Sequence, residues 1–268
     1  MNSNNFVVLL YVLLLSSCAS PGGNWGANVT LSPGWEKVKL SARRAVKDPH
    51  TWVPLVSAAA FGIDDFDQQA ADWATRRTPV FGDREDAEDA SHLLQDLSKI
   101  NYLITAVAAP SGRGRSGLKN KVRGLVSGIA AIRINDGITN SIKSVTDRKR
   151  PDEDSDADED NSFPSWHMSS ASISARLASR NIEYMNLTPN QKKFWRISSH
   201  TVAGFTGWAR IEGGRHYPSD VLAGYALGNF LGRFLNDAFI DPGFQNRLSI
   251  GVNVNGRNEG LLTVAYRW

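Results

Sequence analysis

The chain has 268 residues, a formal net charge of +3 and a hydrophobic content of 41%. That suits one domain of moderate size with a sizeable core, with or without a small appendage. The basic residues are scattered, so a pI near 9.0 does not argue for nucleic acid as a partner. The single cysteine, Cys18, excludes an internal disulfide.

Phe6 to Leu15 is an apolar run, too short to span a bilayer but suited to the core of a signal peptide. It leads into Leu15-Ser16-Ser17-Cys18, which resembles a bacterial lipobox. The resemblance implies a signal peptide over 1–17, lipidation of Cys18 and an outer-membrane lipoprotein facing the periplasm. Met1 to Asn5 lacks the Lys or Arg expected of such a leader. Residues 18–34 are rich in Gly, Asn, Ser and Pro and read as a flexible tether.

Helical periodicity covers Trp35–Val46, Trp52–Phe61, Asp64–Arg77, His92–Ala109 and Lys119–Val145. Phe81–Ser91 is acidic and reads as a surface segment. Gly112 to Gly117 spells GxGxxG, but no strand precedes it, so a basic loop between helices is expected. Further helices are expected at Met168–Ser179, Val202–Ile211 and Val221–Ile240. In the last, Gly224, Gly228 and Gly232 form a smooth stripe for close helix packing. The helical runs are too short or too charged to cross a membrane. Ser249–Val254 and Leu261–Trp268 alternate apolar and polar around Asn255-Gly256, a β-hairpin signal. The expected fold is mainly α, with a helical domain over 35–245 and a C-terminal β-hairpin over 246–268 packed on it.

Three clusters carry the chemistry. Lys143, Arg150 and Pro151 stand at K-x6-R-P. Pro164-Ser165-Trp166-His167 suits a helix start, whose backbone N–H groups point at an anion. Arg210, His216 and Asp220 stand at R-x5-H-x3-D, with Ser219 the expected N-cap of the following helix. In that third cluster a carboxylate could hold the tautomer of a histidine and leave its other nitrogen to react. Each cluster alone also reads as ordinary capping or as a basic helix end. Their order on successive helix ends is the specific signal.

Together these motifs resemble the type 2 phosphatidic acid phosphatase (PAP2) superfamily, which includes bacterial acid phosphatases and vanadium haloperoxidases. Two departures are visible: Trp166 replaces the usual Gly, and Ala209 the usual Ser. The resemblance implies a PAP2 or acid-phosphatase-like helical bundle and a phosphatase. Lys143, Arg150, Arg210, Ser165 and the Trp166 backbone would bind the phosphoryl oxygens. His216 would attack phosphorus, Asp220 would orient His216, and His167 would protonate the leaving oxygen. The scheme needs no metal and no cofactor. A phosphorylated lipid is the expected substrate, with the membrane reached through the N-terminal anchor. The alternatives are a soluble phosphoester substrate, a vanadate-dependent haloperoxidase, or a non-catalytic envelope protein. Asp152–Asp160 is an acidic run expected to be a solvated loop. His50, His92 and His200 match no motif and read as structural.

Overall fold

The computed structural model describes residues 24–151 and 161–242, and the backbone of 248–254 and 260–266. The Phe6–Leu15 run, Cys18 and the acidic run 152–160 lie outside the described residues.

The body is helical. Its elements are α1 (Trp35–Val46), α2 (Pro49–Phe61), α3 (Phe66–Arg77), α4 (Arg84–Ala108), α5 (Gly114–Thr146), α6 (Trp166–Asn181), α7 (Pro189–Glu212) and α8 (Pro218–Leu235). A 3-10 turn, Ile182–Tyr184, follows α6, and a π-helical turn, Asn236–Ile240, extends α8.

Helix α6 is the axis of the fold, buried along nearly its whole length, with α4, α5, α7 and α8 packed around it. Its sequence explains this. Serines and alanines fill its faces, and two of the buried serines, Ser169 and Ser172, find partners on the neighbours. Ser169 Oγ accepts from Asn135 Nδ2 at 3.0 Å and pairs with Thr139 Oγ1 at 2.9 Å, while Ser172 Oγ donates to the Tyr225 carbonyl at 2.8 Å. The glycine stripe of α8 faces α6. A Cβ on Gly228 would lie 2.2 Å from the Ser169 carbonyl oxygen, and one on Gly224 2.5 Å from that of Ser165. The main apolar core joins Tyr102, Ile173, Leu177, Ile182 and Leu231.

Several boundaries differ from the sequence reading. Helix α5 starts at Gly114, so most of the GxGxxG stretch expected as a loop is helical. The acidic segment is not a separate surface piece: Asp83 accepts from the Asp86 N–H at 2.8 Å and caps α4, so Arg84–Ser91 form that helix's first turns. Acidic residues there favour the helix N-terminus. Helix α7 starts at Pro189, well before Val202, because Thr188 and Gln191 form a capping box ahead of polar first turns. The N-cap of α8 is Tyr217, not Ser219, with Pro218 at the first helical position. The expected tether is anchored from Trp25 onward. The Trp25 ring is buried over Gly124, the Trp25 backbone N–H donates to the Pro110 carbonyl at 2.9 Å, and Thr30 N–H donates to the Phe239 carbonyl at 2.9 Å. A large apolar ring gains more from that groove than a solvated tether would from freedom.

Near the C-terminus, Leu248–Val254 runs antiparallel to Gly260–Tyr266, with Leu248 opposite Tyr266. How this segment sits on the helices lies outside the described residues. Among the described residues, no helix is long and apolar enough to cross a membrane.

Candidate active site

Four helix ends converge: the C-termini of α5 and α7 and the N-termini of α6 and α8. At the end of α5, Asp147 takes a left-handed conformation (φ 44°), and its N–H donates to the Lys143 carbonyl at 3.2 Å. The chain turns there and carries Arg148 and Arg150 back towards α8. At the end of α7, the N–H groups of Arg215 and His216 both donate to the Arg210 carbonyl, at 3.0 and 3.2 Å. This tight loop places His216 beside the last turn of α7. The α6 and α8 starts are tied directly, since Ser165 N–H donates to the Asp220 carbonyl at 3.0 Å.

His216 is buried at 2% exposure. Burial, and then the charges of Arg210, Lys143 and Arg150, hold its imidazole well below the ordinary histidine range, with the Ser162 carbonyl opposing. The ring is neutral at pH 7, so one nitrogen carries a lone pair. His167 is pushed down to about 2, first by burial, then by Arg210, His216, His92 and Lys99. Arg210 acts on both histidines, Lys143 and Arg150 on His216, and Lys99 on His167.

Asp220 is fully buried, and its two oxygens are engaged. Oδ1 accepts from Arg148 Nη1 at 2.6 Å and Oδ2 from the Tyr217 N–H at 2.9 Å. Oδ2 also stands 3.7 Å from His216 Nδ1, beyond hydrogen-bond length. Among the described residues, that Nδ1 has no hydrogen-bond partner. Asp220 is thus the nearest carboxylate to His216 but is held by Arg148. Burial pushes its carboxyl up while Arg148 pulls it down. Arg148 bridges it to Asp67 at 2.7 Å and to Ser219 Oγ at 2.7 Å, and lies 4.0 Å over the Tyr217 ring.

Ser165 caps α6: its Oγ accepts from the Met168 N–H at 3.5 Å. With the Ser165 N–H committed to Asp220, the first-turn N–H groups of Trp166 and His167 are left to meet an anion. Trp166 is fixed by a donation from Nε1 to Asp136 at 2.9 Å and by Lys99 Nζ, 5.2 Å from its ring centre. Lys143 Nζ donates to the Asn161 carbonyl. Arg210, 3% exposed, donates to Ser91 Oγ at 3.2 Å and lies 3.7 Å from Glu88, which Arg215 holds at 3.0 Å.

The structure thus gathers Lys143, Arg150, Ser165, Trp166, His167, Arg210, His216 and Asp220. The sequence reading missed four contributors. Arg148 holds Asp220, Ser91 and Glu88 hold Arg210, and His92 meets His167 with Nδ1 3.1 Å from Nε2. Arg148 lay inside the basic run already singled out. The others sit on α4, with no local signal. His50 and His200 form a separate cluster with Tyr225 of α8. Among the described residues, no group of three or more His, Cys, Asp or Glu is placed to hold a metal ion.

Residues 124–240 match the PAP2 superfamily. A lipid A 1-phosphatase from Porphyromonas gingivalis is 33% identical over 162 residues, covering 57% of this chain and 34% of that protein. The chain therefore spans about a third of that relative's length. A transmembrane PAP2-type phosphatidylglycerolphosphate phosphatase from Bacillus subtilis has a similar fold. Its TM-score is 0.53 over 75% of this chain and 96% of that one, at 20% identity.

Proposed function

We propose that the protein is a phosphatase that hydrolyses a phosphomonoester or pyrophosphate of a lipid through a phosphohistidine on His216. One observation carries the reading. A buried neutral histidine, His216, and a second, His167, share the field of Arg210, with Lys143 and Arg150 also acting on the first. A neutral imidazole is a nucleophile, and preorganised positive charge at the phosphoryl oxygens is the main catalytic contribution in phosphoryl transfer. Nδ1 of His216 faces Asp220, so Nε2 is the attacking atom. Once phosphorylated, the ring is cationic and Asp220 is the carboxylate that stabilises it. Their 3.7 Å separation is to shorten at that stage. His167 protonates the leaving oxygen and then activates water.

Two features support a lipid. An apolar cavity of about 350 Å³ is lined by Trp52, Leu55, Ile142, Phe163, Pro164 and Phe230. Ile142 precedes Lys143, and Phe163-Pro164 lead straight into Ser165, so the cavity borders the phosphate-binding loops. Its size suits an acyl segment. Leucines, isoleucines and valines are also exposed along α4 and α5, among them Leu93, Leu97, Leu118 and Val122, a pattern suited to a lipid surface. The named activities of the two relatives agree with this reading. An anchor at Cys18 and an outer-membrane position belong to the same proposal and rest on the sequence alone.

The test is phosphate release by the full chain and by His216→Ala from a lipid phosphate, an isoprenyl pyrophosphate and a soluble aryl phosphate. Turnover of the lipids, lost in the variant, is expected. Turnover of the aryl phosphate alone overturns the lipid assignment, and equal background from both proteins overturns the phosphatase.

A further inference from the structure

We propose that His92 is a positioning and proton-relay residue that charges His167 for its role as acid. The proposal rests on the phosphatase reading above. His92 is an exposed residue of α4, while His167 is 9% exposed in the first turn of α6. Their rings meet edge to face, with centres 4.7 Å apart and Nδ1 of His92 3.1 Å from Nε2 of His167. This is hydrogen-bond length between two imidazoles, and at most one proton can lie between them.

The contact answers a problem in the site. His167 must carry a proton when the leaving oxygen departs. The groups around it are Arg210 from α7, His216 from the α7–α8 loop, and Lys99 from α4, all positive or neutral. The nearby carboxylate on α4, Glu88, faces Arg215 and Arg210, with His92 in its field. His92 can take a proton from water and hold it outside the buried cation cluster. It can then pass the proton inward when a phosphoryl dianion enters.

The proton balance closes. The Nδ1–H of protonated His92 moves to Nε2 of His167, leaving His92 neutral. His167 then releases its Nδ1 proton to the leaving oxygen as the P–O bond breaks. In the hydrolytic step, Nδ1 of His167 takes a proton from the water attacking phosphohistidine. The proton on Nε2 returns to His92, which restores the starting state.

The experiment compares wild type, His92→Ala and His92→Gln on an alkyl phosphate and on an aryl phosphate with a good leaving group. A good leaving group needs little protonation. The relay predicts that both variants lose about 10- to 100-fold in kcat/KM on the alkyl phosphate. Turnover of the aryl phosphate should stay within about twofold of wild type. The basic limb of the alkyl pH profile should also move to lower pH. Gln can keep a hydrogen bond but cannot carry the proton, so full rescue by His92→Gln overturns the relay. Equal losses on both substrates overturn it too. Imidazole ¹⁵N spectra of the substrate-free protein give a readout independent of turnover. Titration of His92 should shift Nε2 of His167, and independent titration of the two rings contradicts the pairing. His216→Ala, which removes release from both substrates, tests the phosphatase reading separately.

Discussion

Two histidine clusters flank the central helices, built from similar parts but differently completed. In one, the Tyr225 hydroxyl lies 3.1 Å from Nδ1 of His50 and 2.9 Å from Nδ1 of His200, and the two imidazoles stack with centres 4.9 Å apart. Beneath them, Asp48 accepts from Arg176 at 2.6 Å and also from Arg233, while Arg180 donates to Asp237 at 2.9 Å. In the other, His216 Nδ1 has no hydrogen bond among the described residues, and His167 meets the exposed residue His92. Both clusters keep their inner histidines neutral: His200 is pushed down to about 3 and His167 to about 2, burial leading in each. A depressed histidine is therefore not itself a mark of function here. What separates the clusters is the source of the remaining field. Arg210, Lys143 and Arg150 act on His216, whereas the His200 ring is closed off by Tyr225 and sits above arginines matched to Asp48 and Asp237.

The comparison can be broken by mutation, beginning with the largest effect. His216→Ala should lower phosphate release by at least about 10³-fold, as expected for loss of a nucleophile. His200→Gln, which keeps a partner for Tyr225, should leave release within about twofold of wild type. Comparable losses in steady-state assays would erase the distinction between the clusters.

Next is Arg148→Ala. It leaves the fully buried Asp220 carboxylate without its cation and should destabilise the fold by about 2–4 kcal/mol, read as a lower urea midpoint. It should also reduce turnover by freeing Asp220 to move. A variant as stable as wild type would mean that Asp220 is held by the Tyr217 N–H alone.

Gly228→Ala forces a methyl to within 2.2 Å of the Ser169 carbonyl oxygen. It should cost about 1–3 kcal/mol by pushing α8 off α6, seen as a fall in Tm. Gly137→Ala, where a Cβ meets nothing within 4 Å, should be neutral or slightly stabilising.

The smallest effect concerns pH. The folded-state pKa of His200 is about 3, against an ordinary value of 6.5. Between these values the unfolded chain binds more protons than the folded one, so stability rises with pH across that window. The contribution is fully present above about pH 6.5 and is lost as pH falls towards 3. Tm should therefore drop on acidification from pH 7, and His200→Gln should flatten that drop. An unchanged slope would show that the other buried histidines dominate it.

Much of the site was readable because its residues lie on helix ends, where sequence punctuation is strongest. Pro164-Ser165 marks the start of α6. The motif spacing supplied the order. The glycine stripe was read as close packing, and α8 does pack on α6 through it. The rest depended on partners far apart in sequence. Arg148 reaches Asp220 from the turn after α5, and Asp67 on α3 holds Arg148 and Ser219. His92 and Ser91 come from a helix whose acidic start hid its first turns. Trp25 looked like part of a tether because only a groove formed by Gly124, nearly a hundred residues on, makes its burial favourable. Local pattern carries helix ends well, but it does not carry which far residue completes a carboxylate or an imidazole.

The most direct test of the central claim is rapid acid-free quenching of the full chain with a phosphoryl-labelled substrate, followed by peptide mapping. The account predicts one acid-labile, base-stable phosphoryl group on the peptide containing His216, absent from His216→Ala. Turnover with no phosphoenzyme at any quench time, or a label on another residue, would contradict it.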